Sequence, residues 1–266
     1  MKNYKLALLL ISVFFYYQLA FSQEVIIDPN ERYDLYLLIG QSNMAGRGNI
    51  EAQDTVTDPK VFMLNKAEIW VPAKSPLHFD KPFAGTGLGL TFGKIMAENS
   101  KRKIGLIPCA VGGTSISMWM PGAYDKITQT HPYDDAVKRT KVALKSGELK
   151  GILWHQGEAD ATNEKTRLYE ARFDSLLMNL QKDLSVDIRS VPVVVGELGR
   201  FYVKKAPEAV NFNPLLYHMS ANRKNIRLVS SEGLTHKGDT VHFDAISLRE
   251  FGKRYAEKMI ETENRN

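Results

Sequence analysis

A serine, a histidine and an aspartate stand where they could serve as a nucleophile, its base and the base's orienter. Ser42 lies in Gly40-Gln41-Ser42-Asn43-Met44-Ala45-Gly46, directly after the apolar run Leu35-Tyr36-Leu37-Leu38-Ile39. That order puts a hydroxyl on the tight turn where a buried strand ends and a helix begins. A serine hydroxyl is a weak nucleophile at neutral pH until a neighbouring base takes its proton. His242, in Asp239-Thr240-Val241-His242, is the candidate base. Asp239, three positions earlier, can reach the imidazole from the same loop, hold its tautomer and stabilise the imidazolium as it forms.

Attack on an ester carbonyl creates an oxyanion that needs hydrogen-bond donors already aimed at it. Three sources are present. The backbone N–H of Ser42 sits on the strand-to-helix turn. Gly112-Gly113, in Gly112-Gly113-Thr114-Ser115, lets the backbone approach closely, so Gly112 or Gly113 could supply a second N–H. The side-chain amide of Gln156, in Trp154-His155-Gln156-Gly157-Glu158-Ala159-Asp160, is a neutral third donor. The plainer alternatives are a tight turn for the glycines and a buried amide tying two loops together for Gln156.

Other residues suggest supporting roles. Glu158 reads as an acceptor bracing the loops around the site, and Asp160 as a cap for the segment that follows. His155 precedes Gln156 on an extended strand and so points to the opposite side, which suits packing. The ring of Trp119 could stack on a sugar face or serve as hydrophobic cover. His78 reads as a solvated loop histidine, and His236 as no more than a minor contender for a second base. No His-Glu-x-x-His, paired-cysteine cluster or Gly-x-x-x-x-Gly-Lys occurs, so neither a metal nor another cofactor is implied.

These residues must be held by elements, and the elements alternate. Asp34 to Ile39, Lys103 to Cys109, Lys150 to His155, Pro192 to Leu198 and Ile226 to Ser230 read as strands. Their apolar positions are continuous, as in parallel strands covered on both faces. Leu88 to Glu98, Tyr133 to Lys145, Lys165 to Leu184, Pro214 to Arg223 and Asp244 to Ile260 read as helices. Such alternation predicts an α/β fold, a three-layer α/β/α doubly wound sheet of about five parallel strands. Ligands bind such sheets outside the C-terminal ends of the strands, where Gly40-Gln41-Ser42, Gly112-Gly113, His155-Gln156 and Glu197-Leu198-Gly199 fall. Residues 46–85 show little periodicity and read as an insertion rimming the site.

The totals narrow the class. Lys2 and Lys5, the apolar run Leu6 to Phe15 and Ala20-Phe21-Ser22 form a signal-peptide pattern over residues 1–22, with cleavage expected before Gln23. The apolar stretch is short for a bilayer span, so no stable membrane insertion is expected after cleavage. The remaining 23–266 is long enough for one domain, and its formal charge is +3 once Lys2 and Lys5 are removed from the +5 total. The charges are interspersed, which gives no support to a nucleic-acid partner. The single cysteine, Cys109, allows no internal disulfide and reads as a buried thiol.

The blocks that hold Ser42, Gly112-Gly113, Gln156 and Asp239 with His242, in this order and spacing, resemble those of the SGNH hydrolases, most closely carbohydrate esterase family six, the acetylxylan esterase and sialate O-acetylesterase-like group. The resemblance spans residues of about 33 to 260. It implies a flavodoxin-like fold, Ser42 as nucleophile, His242 as base, Asp239 as its partner, and an oxyanion hole from Gly112 or Gly113 with Gln156. The wider superfamily has asparagine in the third block; the glutamine is typical of the carbohydrate esterase branch. The implied protein is an exported esterase, periplasmic or extracellular, that removes acetyl groups from acetylated xylan or a related polysaccharide. A sialate O-acetylesterase is the alternative within the class, and a non-catalytic glycan-binding protein the alternative outside it.

Overall fold

The protein is described by a computed structural model that covers residues 32–263. The expected leader and its cleavage before Gln23 lie outside the described residues. Seven strands form one sheet: β1 (Tyr33–Gly40), β2 (Val61–Leu64), β3 (Trp70–Pro72), β4 (Ile104–Pro108), β5 (Gly147–His155), β6 (Val193–Gly196) and β7 (Ile226–Val229). They lie in the order β3-β2-β4-β1-β5-β6-β7. Every pairing is parallel except β2 with β3.

The five strands expected from the apolar runs are β1, β4, β5, β6 and β7, and their spatial order is the flavodoxin-like one. β2 and β3 correct the expected strand count. Both fall in the stretch read as an irregular insertion, and they extend the sheet beyond β4. Four and three residues are too few to establish a period of two, which is why the pattern did not reveal them.

All eight residues of β1 are buried, as the continuous apolar run requires of a strand covered on both faces. Alternate side chains feed two layers. Tyr36, Leu38, Leu106, Leu153 and Val194 pack with α3 (Leu88–Ser100) and α8 (Ala245–Glu263) through Phe92, Met96, Phe251, Tyr255 and Met259. On the other face Trp154 meets Phe173 of α5 (Asn163–Leu184), and Tyr169 of that helix meets Phe212 of α7 (Phe212–Ala221). The α8 stripe Ala245, Leu248, Phe251, Gly252, Tyr255, Ala256 and Met259 is buried throughout, as 3.6-residue spacing predicts. α4 (Pro132–Leu144) starts with Pro132 at its first turn, where the missing N–H costs nothing.

Two short helices, α1 (Ser42–Ala45) and α2 (Ala52–Thr55), follow β1, and α6 (Arg200–Lys205) follows β6. None of the described helices is long and apolar enough to cross a membrane.

Candidate active site

The site is assembled on the turn between β1 and α1. Gly40 has φ +132°, and a Cβ there would stand 2.1 Å from the carbonyl oxygen of His155. Only glycine lets β1 end this close to β5. The chain then turns at Gln41 and presents Ser42 as the first residue of α1.

Ser42 Oγ lies 2.9 Å from Nε2 of His242, and Nδ1 of His242 lies 2.7 Å from Oδ2 of Asp239. The other carboxylate oxygen of Asp239 accepts the backbone N–H groups of Val241 and His242 at 2.9 and 2.8 Å. Partial burial pushes the Asp239 carboxyl up. The backbone and side-chain bonds from His242 and the Val241 N–H outweigh it and hold the pKa at about 2. The carboxylate is thus ionised throughout the neutral range. Thr240 takes φ +61°, which closes the turn between the two residues.

Three anchors fix this loop. Phe243 is fully buried against Phe201 and Phe251, at ring distances of 5.0 and 5.1 Å. His236 accepts the N–H groups of Gly238 and Thr240 on Nδ1, so it is a scaffold of the turn and its nitrogen is not turned to Ser42. Asn43, next to the serine, accepts the Phe243 N–H at 3.1 Å and donates to the Val241 carbonyl at 3.1 Å. The same amide donates to Glu158 at 2.6 Å. Asn43 thereby ties the serine turn directly to the histidine loop. Burial pushes the Glu158 carboxyl up to about 7, against the lowering effect of its hydrogen bonds, and its Oε2 has no partner.

The loop after β4 carries Gly112 and Gly113. The Gly112 N–H donates to Oδ2 of Asp80 at 2.8 Å, and Asp80 pairs with Arg47 at 2.6 Å, both side chains buried. Gly113 takes φ +89°, with open space where a Cβ would point. Of the two candidate N–H groups, that of Gly112 is already occupied within the protein. A Cβ on Gly112 would come 3.4 Å from Cβ of Ser42, so the loop abuts the serine.

Four expectations change. Gln156 is fully buried, and its amide nitrogen faces Asp160 at 2.6 Å, Gln41 at 3.1 Å and the Thr114 carbonyl at 3.2 Å. Its two protons are used in tying three loops together, so the side chain is not placed to donate to a ligand. Trp119 is also fully buried, edge-on to Trp154 at 5.4 Å with its N–H on Thr114, and it presents no face to a sugar. Asp160 does not cap the next helix. Thr162 does that, while Asp160 accepts the Ile116 N–H and the Gln156 amide. His78 is buried rather than solvated, and burial lowers its pKa to about 4.

His155 and Cys109 sit as expected. His155 is fully buried beside Tyr255, with burial lowering its pKa to about 3. Cys109 is buried, and burial raises its thiol pKa to about 11. Among the described residues no cluster of three or more His, Cys, Asp or Glu is arranged to hold a metal ion. The assembled groups suit proton transfer from a hydroxyl to an imidazole backed by a carboxylate.

Arg47, Asn43 and Asp80 escaped sequence reasoning. Asn43 is part of the serine block, but nothing in its spacing says what it bonds. Arg47 and Asp80 lie in residues 46–85, where no periodicity gave a signal.

The family model described as carbohydrate esterase, sialic acid-specific acetylesterase, matches residues 32–261. A probable carbohydrate esterase of Arabidopsis thaliana is 31% identical over 256 residues, 88% of this chain and 92% of that protein. Among solved structures, a protein from Arabidopsis thaliana superposes with a TM-score of 0.73 at 27% identity, covering 86% of this chain and 98% of its own. NanS has the same fold, with a TM-score of 0.73 at 17% identity over 91% of this chain and all of its own. So has a carbohydrate acetylesterase from Xanthomonas citri, with a TM-score of 0.66 at 18% identity over 84% of this chain and 55% of its own.

Proposed function

Because the chain belongs to the carbohydrate esterase, sialic acid-specific acetylesterase family, we propose that Ser42, His242 and Asp239 make it a serine esterase that removes O-acetyl groups from a polysaccharide such as acetylated xylan. The observation that carries this reading is the continuous relay Asp239–His242–Ser42, with contacts of 2.7 and 2.9 Å.

Ser42 Oγ attacks the acetyl carbonyl carbon while His242 Nε2 takes the hydroxyl proton, and Asp239 stabilises the imidazolium. In this reading the Ser42 and Gly113 backbone N–H groups stabilise the oxyanion that forms on the carbonyl oxygen. Collapse breaks the bond to the sugar oxygen, which leaves with the proton held on Nε2. Water then enters, gives its proton to His242 and attacks the acetyl-serine. Acetate departs and the proton returns to Ser42. No cofactor takes part in any step.

The second reading, a sialate O-acetylesterase, uses the same chemistry and is favoured by the family's own description. Acetate release from acetylated xylan and from O-acetylated sialic acid, measured side by side with residues 23–266, separates the two. Ser42→Ala is expected to lose on the order of 10³-fold or more in turnover. Near-unchanged acetate release by folded Ser42→Ala protein would overturn the mechanism and return weight to a glycan-binding role. We also place the protein outside the cytoplasm, on the strength of the leader-like residues 1–22. N-terminal sequencing of the protein from a producing cell should begin at Gln23.

A further inference from the structure

We infer that the cavity beside the loop after β4 is a subsite for the sugar next to the acetylated one, with Phe79 as its platform. The inference rests on the reading of Ser42 as the nucleophile of a carbohydrate esterase. It deepens that reading by naming where the sugar next to the acetylated one is held.

Position comes first. The serine turn follows β1, the glycine loop follows β4, and Lys66 lies just beyond β2, three neighbouring strands at the C-terminal edge of the sheet. Adjacent strands are about 4.8 Å apart, so a ligand running along this edge passes from Ser42 across β4 toward β2. A cavity of about 400 Å³ lies there, lined by Lys66, Phe79, Asp80, Val111, Thr128 and Thr130 among others. That volume is within the range of small-ligand sites, about 300–1000 Å³. Two lining residues connect it to the loop that abuts Ser42. Val111 leads straight into Gly112, and Asp80 holds the Gly112 N–H at 2.8 Å.

Chemistry comes second. Phe79 is 38% exposed, although it belongs to a segment whose neighbours His78 and Asp80 are buried. Its ring is held rather than loose. The Arg139 guanidinium lies 4.7 Å from the ring centroid and is itself anchored on the carbonyls of Leu64 and Asn65 at 2.6 and 3.0 Å. A fixed, half-exposed aromatic ring among threonine hydroxyls matches a pyranose, which has apolar C–H faces and a polar rim. Lys66, Lys138 and Arg139 share the lining with Glu68, Asp80 and Asp135. Lys138 pairs with Glu68 at 3.0 Å, and Asp80 with Arg47 at 2.6 Å. Phe79 thus takes the stacking role that burial denies to Trp119.

The test is a length series, with kcat and KM for acetate release from mono-acetylated xylose, xylobiose and xylotriose and a chromogenic acetate as the non-sugar control. Wild-type protein is expected to gain about tenfold in kcat/KM from the monosaccharide to the disaccharide, mainly through KM. Phe79→Ala should lose that gain, and Phe79→Leu, which keeps an apolar contact with Arg139, should lose most of it. Equal kcat/KM at all lengths in the wild type overturns the subsite alone. So does a length step that survives in both folded variants. Turnover of the chromogenic acetate with no release from any saccharide overturns the carbohydrate reading, and the subsite with it.

Discussion

The backbone N–H of Gly112 is bonded to Oδ2 of Asp80, 2.8 Å away, beneath the loop that borders Ser42. Asp80 in turn neutralises Arg47, which is 4% exposed at the side chain. The pair therefore supports the loop from inside, and Gly113 is left as the neighbour with open space where a Cβ would point. Asp80→Asn keeps the shape but strands a buried guanidinium, at a cost of about 3–5 kcal/mol. Urea unfolding should show that loss. Gly112→Ala should destabilise more than Gly113→Ala. The first puts a methyl 2.3 Å from Arg47 Nη2, whereas the second meets no atom within 4 Å and carries only the strain of φ +89°, about 1–2 kcal/mol.

Asp239 should matter for orientation more than for folding. Replacing it by asparagine offers Nδ1 of His242 an amide in place of a carboxylate acceptor, which favours the wrong tautomer. By analogy with the serine-protease example, Asp239→Asn should reduce kcat on the order of 10³- to 10⁴-fold. Far-UV circular dichroism should stay close to wild type, with Tm somewhat lowered because the ionised carboxylate's bonds to His242 and the Val241 N–H are weakened. A loss below tenfold in folded protein would show that His242 does not depend on this carboxylate.

Asn43 links the turn of Ser42 to the loop of His242 through Val241 and Phe243. Asn43→Ala should lower kcat about 10- to 100-fold with a smaller change in KM, because a shift of about 1 Å between base and nucleophile is enough for that. A change confined to KM would argue against this positioning role.

Glu158 should make a distinctive contribution to pH dependence. Its folded pKa of about 7 stands above the ordinary 4.5, so the folded chain holds a proton that the unfolded chain has released. Stability from this group is therefore present below about pH 4.5 and is lost as pH rises toward 7. Glu158→Gln keeps an acceptor for Asn43 and removes the titration. Its stability relative to wild type should rise from pH 4.5 to 7 and then level off, as read by urea midpoints across pH.

The buried histidines act with the opposite sign. His155 and His78 have folded pKa values of about 3 and about 4, below the ordinary 6.5, so the unfolded chain takes up protons that the folded chain refuses. Stability falls as pH drops from 6.5, by up to about 1.4 kcal/mol per pH unit for each histidine. His155→Gln should flatten the slope of Tm against pH between 6.5 and 4.

Much of the architecture was legible along the chain. The continuous apolar runs marked β1, β4, β5, β6 and β7 because parallel strands buried on both faces leave no polar positions in the run. The stripe from Ala245 to Met259 marked α8 because one helical face must be apolar to cover the sheet. Gly40 and Ser42 announced the turn by their order alone. The same reasoning passed over β2 and β3, whose few residues carry no period, and the segment 78–83, whose buried and exposed positions follow no repeat.

The sequence by itself determined which groups able to do chemistry exist and which strand ends carry them, since both depend on residue type and local periodicity. Only the tertiary structure decided which of those groups face one another. Gln156 and Trp119 looked suited to meet a ligand, yet both are enclosed between β5, the loop after β4 and α5, because the packing of the layers decides which side of a loop faces solvent. Gly112 and Gly113 are identical in composition, and a carboxylate 32 residues away distinguishes them. Burial and long-range pairing are properties of the folded chain, and no spacing along it encodes them.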